Sequence, residues 1–178
     1  MENIRGYYFY SRAIKRGLFF RRGLEILRKE LAVNSFRDIE DAETIAPFKD
    51  MMKPEVYNCC KYVVEEIKRT KTAALLLQQN NLSDFGKLMF ETHDGLSKLY
   101  MVSCAELDFL VKAAAANSQV VGARLMGGGF GGCSINIVEE NAVREFISGI
   151  TDAYKNKFDI LPEAYVIQTA DGTGRVDC

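Results

Sequence analysis

The hydrophobic period of this chain changes partway along. Over about residues 13–117 apolar side chains recur at three- and four-residue steps, and from residue 122 onward short runs alternate apolar with polar. Phe20, Leu24, Leu27 and Leu31 fall on one face of a helix predicted over residues 13–31, with Arg21, Arg22, Arg28 and Lys29 on the wet face. A loop containing Asp41, Pro47 and Asp50 follows. Pro54 then stands where a first-turn proline belongs, and Val56, Cys60, Val63, Ile67, Ala74 and Leu77 share a face of a long helix expected to end near Asn80 and Asn81. Asn81, with Asp84 three residues on, is suited to cap a third helix whose apolar positions are Phe85, Leu88, Met89 and Leu96. Ser103 and Glu106 have capping-box spacing and open a fourth helix that should stop around Asn117.

After that the alternation predicts strands at residues 122–126 and 133–138, joined by a glycine-rich turn. A helix is expected over residues 141–158 through Val143, Phe146, Ile147, Ile150 and Tyr154, then a strand at residues 164–168 and a polar tail. Helices first and β-β-α-β last predict an α+β fold, with an antiparallel sheet of about four strands covered on one side by helices in a ferredoxin-like arrangement.

Composition adds exclusions. The 178 residues, 48% hydrophobic, suffice for a packed core and are read as a single domain. A formal net charge of -1 with 26% charged residues gives no overall reason to expect a nucleic-acid partner. Residues 1–30 do hold eight Lys or Arg against three Glu, with Tyr7, Tyr8, Tyr10, Phe19 and Phe20 interleaved, a pattern that could stack on single-stranded nucleic acid. A helix with one wet face explains the same residues, and residues 1–20 are otherwise an extension without an assigned role. No apolar run reaches the roughly 18 residues of a membrane span, and the N-terminus lacks a signal-peptide core, so the expected location is the cytoplasm. Cys59, Cys60, Cys104, Cys133 and Cys178 are odd in number, lack metal-ligand spacing, and are expected to be reduced and mostly buried.

Candidate chemistry is sparse. His93 is the one histidine, and its neighbour Asp94 points to another helical face, so the pair is no oriented acid and base. A structural or surface histidine is the expectation. Glu65-Glu66 and Glu139-Glu140 are explained by solvation. What stands out is MGGGFGGCSINIV, from Met126 to Val138. Gly127, Gly129 and Gly132 have G-x-G-x-x-G spacing, but a strand rather than a helix follows, which excludes a dinucleotide-binding turn. Two alternatives stay open: successive backbone N–H groups forming a concave site for a phosphate, or a tight hairpin whose glycines let another backbone pack close.

The run GARLMGGGFGGCSINIV resembles the third signature motif of the GHMP sugar and metabolite kinases, in the form found in galactokinases. Upstream, DFGKLMFETHDGLSKLYMVSCAELDFLVKAA resembles the galactokinase segment with a Phe-Gly-x-Leu-Met run, a His, and a Val-Ser-Cys-x-Glu-Leu-Asp run, and AYVIQTADGTGRV resembles that family's closing strand. The resemblance covers about residues 20–178. It implies the C-terminal domain of an enzyme that transfers the γ-phosphoryl group of ATP, with Mg²⁺, to galactose. It assigns the phosphate-facing loop to Gly127, Gly128, Gly129, Phe130, Gly131 and Gly132, supported by Arg124 and Met126.

The departures bound that implication. The family's early sugar-recognition motif and its central P-x-x-x-G-L-S-S-S phosphate loop have no counterpart, and its catalytic aspartate belongs to the same absent N-terminal catalytic domain. Where galactokinases have Tyr-Asn-x-Arg-Arg this chain has Leu18-Phe19-Phe20-Arg21-Arg22, so no sugar contact is carried over. On this basis these residues alone are expected to be inactive, to bind no cofactor tightly, and to expose an apolar face near the hairpin that drives weak self-association. A different GHMP kinase, or a stand-alone ligand-binding module, is the alternative.

Overall fold

The structure, a computed structural model, describes residues 2–169 with Gly172 and Gly174, and side chains from Arg16 onward. The side chains of Tyr7, Tyr8 and Tyr10 and all of Cys178 lie outside the described residues. Five α-helices and two strands occur among them: α1 Glu2–Leu31, α2 Pro54–Gln78, α3 Leu82–Lys98, α4 Ala105–Ala115, β1 Val120–Met126, β2 Cys133–Val138 and α5 Val143–Phe158.

α1 and α2 form an antiparallel pair closed by the segment between them, which is not a plain loop but two 3₁₀ turns, Phe36–Asp38 and Ala42–Met51. Ser35 caps the first and Asp41 the second. Leu27, Phe36, Ile39, Ile45, Val56, Cys60 and Val64 are buried together here, while Arg21, Arg22, Arg28 and Lys29 are exposed, as the helical period requires. The pattern is not honoured at the far end of α2, where Ala74 is exposed and Leu77 is 46% exposed because no element of the described chain covers those last turns.

Asn80 takes a left-handed conformation (φ 54°) and the N–H of Asn81 reaches back to Leu76 O, which stops α2. Asn81 then accepts the Asp84 N–H and starts α3, as its spacing predicts. The Ser103 and Glu106 capping box does not form. Cys104 is the N-cap of α4 without a side-chain bond, because the Ser103 hydroxyl is committed to Asp108 instead.

β1 and β2 pair antiparallel from Val120↔Val138 to Met126↔Cys133, with an irregularity between Val120 and Gly122. The hairpin is the whole sheet among the described residues. The expected four strands are therefore two among the described residues, and residues 164–168 are exposed, with no regular secondary structure and no ladder partner, so alternation alone did not make them a strand. The α+β class stands. α4 and α5 cover the hairpin through Val111, Ala114, Ala123 and Phe146, and a smaller core of Val102, Leu107 and Leu125 lies under the glycine turn. α3 runs along β1 at such close range that a Cβ on Gly86 would lie 1.8 Å from Val121 O.

Candidate functional site: the glycine loop and its supports

Met126 and Cys133 are the last pair of the ladder, so residues 127–132 form the turn. Five successive or near-successive residues have positive φ: Gly127 (83°), Gly129 (78°), Phe130 (60°), Gly131 (122°) and Gly132 (87°). Side chains disfavour that region, which is why a glycine run is needed here. Phe130 is the exception and is held in place, its ring packed against the Val102, Leu107 and Leu125 core and its N–H donated to Val102 O at 2.6 Å.

The glycines divide into two kinds. A Cβ on Gly129 would sit 2.2 Å from Val102 O and 2.9 Å from Val102 Cβ, so this residue is glycine because another backbone occupies the space. At Gly127, Gly128, Gly131 and Gly132 a Cβ would meet nothing within 4 Å. Gly127, Gly128 and Gly132 are exposed, and no turn hydrogen bond among the described residues uses the N–H of Gly127, Gly128, Gly129, Gly131 or Gly132. The loop is thus pinned at its tip and open along its flanks.

The flanking residues behave differently from one another. Met126 is 43% exposed at the mouth of the turn. Arg124 is turned away from it: its guanidinium donates to Leu125 O and lines a cleft of about 160 Å³ between α2 and α3 with Glu66, Arg69 and Thr92. Glu66 is bonded there by both Arg69 and Thr92. Cys133, the first residue after the loop, is exposed, whereas burial pushes the thiols of Cys59 and Cys60 up to about 11 and about 12. Cys104 is half-buried, so the cysteines are less uniformly buried than expected.

Sequence reasoning missed the polar cluster behind the loop. His93 is only 6% exposed and pairs not with Asp94 but with Asp108 on α4, Nε2 to Oδ1 at 3.1 Å. Its Nδ1 accepts the Leu125 N–H at 3.2 Å. Asp108 also accepts the hydroxyls of Ser103 (2.6 Å) and Ser97 (3.0 Å). Burial holds the imidazole pKa below its ordinary 6.5, and the carboxylates of Asp108 and Asp94 offset only part of that. Because Nδ1 receives a backbone N–H, this histidine is structural as expected, and its nitrogens are occupied rather than presented to a substrate. The only sequence signal was the Val-Ser-Cys-x-Glu-Leu-Asp run that places Ser103 and Asp108 five residues apart.

Among the described residues no group of three His, Cys, Asp or Glu could hold a metal, and no helix is long and apolar enough to cross a membrane. The loop offers N–H donors, which suit an anion and not a cation.

Comparison places this turn and the helices around it beside known proteins: residues 72–156 match the family "GHMP kinases C terminal". Within it, the chain is similar to galactokinases. It is 37% identical over 155 residues to the galactokinase of Clostridium acetobutylicum, covering 86% of this chain and 40% of that one. It is 37% identical over 152 residues to the Bos taurus galactokinase, covering 85% and 38%. The crystal structure of Lactococcus lactis galactokinase complexed with galactose superposes with a TM-score of 0.81 at 28% identity, covering 85% of this chain and 39% of that chain. The chain thus spans about 40% of the length of these relatives, and the match lies in the family's C-terminal domain.

Proposed function

We propose that this chain is the C-terminal portion of a galactokinase-type catalytic unit and that its glycine loop faces the phosphates of the nucleotide. The observation that carries this is the open flank of the loop. Gly129 is glycine because Val102 fills the space beside it, whereas Gly127, Gly131 and Gly132 take positive φ with no neighbour near, so the conformation of the turn keeps its flanks bare of side chains without any packing contact to account for it. Those residues leave backbone N–H groups without a turn hydrogen bond among the described residues and with no side chain in the way, an arrangement that suits phosphate oxygens.

In the unit we infer, the γ-phosphoryl group of MgATP passes to galactose. Phosphoryl transfer depends on positioning and on donors aimed where charge develops, and a fixed backbone cradle supplies both without reorganising. Gly127, Gly128, Gly131 and Gly132 would donate, Gly129 and Phe130 would hold the turn at its height, and Met126 would border the mouth. Arg124 lines the α2–α3 cleft, away from the mouth of the turn. Mg²⁺ would arrive with the nucleotide, since no acceptor cluster accompanies the loop among the described residues. The general base, the sugar contacts and the main phosphate loop lie outside these 178 residues, so they alone should yield no galactose 1-phosphate from MgATP and galactose; turnover above a buffer blank would contradict that.

The direct test is a titration of the ¹⁵N-labelled chain with inorganic pyrophosphate and with MgADP. Saturable shifts confined to the amides of residues 127–132, with affinity on the order of millimolar for a cradle without its opposing wall, are expected. Replacing Gly128 with valine, where the side chain meets open space, should abolish them without unfolding the chain. If pyrophosphate and MgADP leave those amides where they were, the loop is a packing turn.

A further inference from the structure

We propose that His93, clasped between Asp108 and the Leu125 amide, is a positioning residue that sets the height and angle of the glycine loop. For its catalytic consequence this rests on the phosphate role just described; for its evidence it rests on the hydrogen bonds.

The loop has two attachments. One is its entry strand, where Leu125 lies two residues before Gly127 on the β1 edge that faces away from β2. The other is its tip, where Gly129 lies against Val102 and Phe130 donates its N–H to Val102 O. These attachments belong to different parts of the chain, yet the same four-residue cluster fixes both. His93 Nδ1 receives the Leu125 N–H, so the strand cannot move along α3 without losing that bond. His93 Nε2 meets Asp108 Oδ1, and the same oxygen receives the hydroxyl of Ser103, the residue next to Val102. Ser97 occupies the other oxygen. The neutral imidazole accepts at one ring nitrogen and donates at the other, and its planar ring spans the two attachments rigidly.

The protonation state follows from the partners. A backbone N–H only donates, so Nδ1 must be bare, and the single proton of the neutral ring is on Nε2, directed at Asp108. A second proton would set an N–H against the Leu125 N–H. The ionisable groups acting on the ring are Asp108 from α4, in direct contact, and Asp94 on its own helix, by its charge alone, and from β1 the ring receives the Leu125 amide. Both carboxylates favour the charged ring and burial opposes it.

Because His93 is the only histidine, its imidazole nitrogens can be read without assignment ambiguity. In long-range ¹H–¹⁵N spectra at neutral pH we expect a protonated Nε2 and a bare Nδ1; a proton on Nδ1 overturns the proposal. Across an acid titration the amides of residues 127–132 should shift with the midpoint of His93 itself, and loop shifts with an unrelated midpoint, or none while the ring titrates, count against it. His93→Gln keeps a donor near Asp108 but withdraws the acceptor from Leu125. Amide exchange at Leu125 and Phe130 should then quicken about tenfold or more, with displaced loop amide signals. Phe146→Leu, which opens space in the other core cluster, is the comparison: at similar overall stability it should leave the loop signals in place. If both variants disturb the loop alike, or His93→Gln leaves it undisturbed, His93 is only a core residue. None of these readouts involves phosphate, so a failed pyrophosphate titration with intact coupling would refute the nucleotide role and not the clasp.

Discussion

Alanine at Gly129 and alanine at Gly128 are the same chemical change one residue apart, and the structure assigns them opposite outcomes. At Gly129 the new Cβ would stand 2.2 Å from Val102 O, about 1 Å inside a tolerable contact, and the obstacle is backbone that no rotamer change can remove. The residue also has φ 78°, which costs a non-glycine residue roughly 1–3 kcal/mol. Relieving the contact means lifting the tip off Val102 and losing the Phe130 hydrogen bond, about 1 kcal/mol more. Together these give a loss of about 2–4 kcal/mol, which for a chain of this size lowers Tm by roughly 6–12 °C. Gly128 has neither a positive φ nor a neighbour within 4 Å, so alanine there should stay within about 0.5 kcal/mol of the parent. Calorimetry or chemical denaturation of the two variants in parallel measures the contrast. Equal stability of the pair would refute the pinning of the tip on Val102, and with it the division of the glycines into packed and open kinds.

Gly86→Ala should be similarly costly, about 2–3 kcal/mol or more by thermal unfolding, because its Cβ would lie 1.8 Å from Val121 O where α3 meets β1; a neutral variant would mean that helix and strand are not in contact there. The buried His93 gives a pH signature. Its folded-state pKa lies below 6.5, so the folded chain takes up this proton later than the unfolded chain. The stability it lends is complete above 6.5 and is lost as pH falls through the folded pKa. Tm should therefore drop faster between about pH 7 and 5 in the parent than in His93→Gln, and parallel curves would remove the effect. Among the described cysteines a bulky thiol reagent should modify Cys133 first and Cys59 and Cys60 only on unfolding, since those two are fully buried with raised pKa values; mass mapping that found Cys60 labelled early would contradict the α1–α2 core. The exposed run containing Leu161, Tyr165, Val166 and Ile167 should support weak self-association, visible as a concentration-dependent mass in light scattering; a strict monomer at high concentration would count against it.

Much of the fold was legible because local rules governed it. Residues 133–138 alternate and form a strand, Asn81 and Asp84 have the spacing of a cap and make one, and Pro54 opens its helix. The misreadings have tertiary causes. Ser103 and Glu106 satisfy the capping-box pattern, but Asp108 competes for the Ser103 hydroxyl and offers a charged acceptor, so the cap goes unmade. Residues 164–168 alternate as a strand should, yet a strand exists only with a partner edge, and none of the described chain supplies one. Ala74 and Leu77 continue the apolar face of α2 past the end of its covering elements. The residue beside His93 in sequence is not its partner, which is fifteen positions away and meets it only when α3 and α4 pack.

The composition of the glycine run then has a physical logic that spacing alone could not reveal. A loop made entirely of open glycines would be a poor cradle, since each glycine adds backbone freedom that ligand binding must remove. One made entirely of packed residues would have no free N–H groups. Here a single packed glycine and a single aromatic residue fix the tip to Val102, while the residues on either side keep their amides uncovered. The ordering cost is met on folding, by the Phe130 ring in the Val102, Leu107 and Leu125 core and by the His93 bond at the end of β1 that enters the loop. On this account the phenylalanine in the middle of the run works as its anchor, and truncating it to alanine should loosen the loop even though no ligand contact is removed.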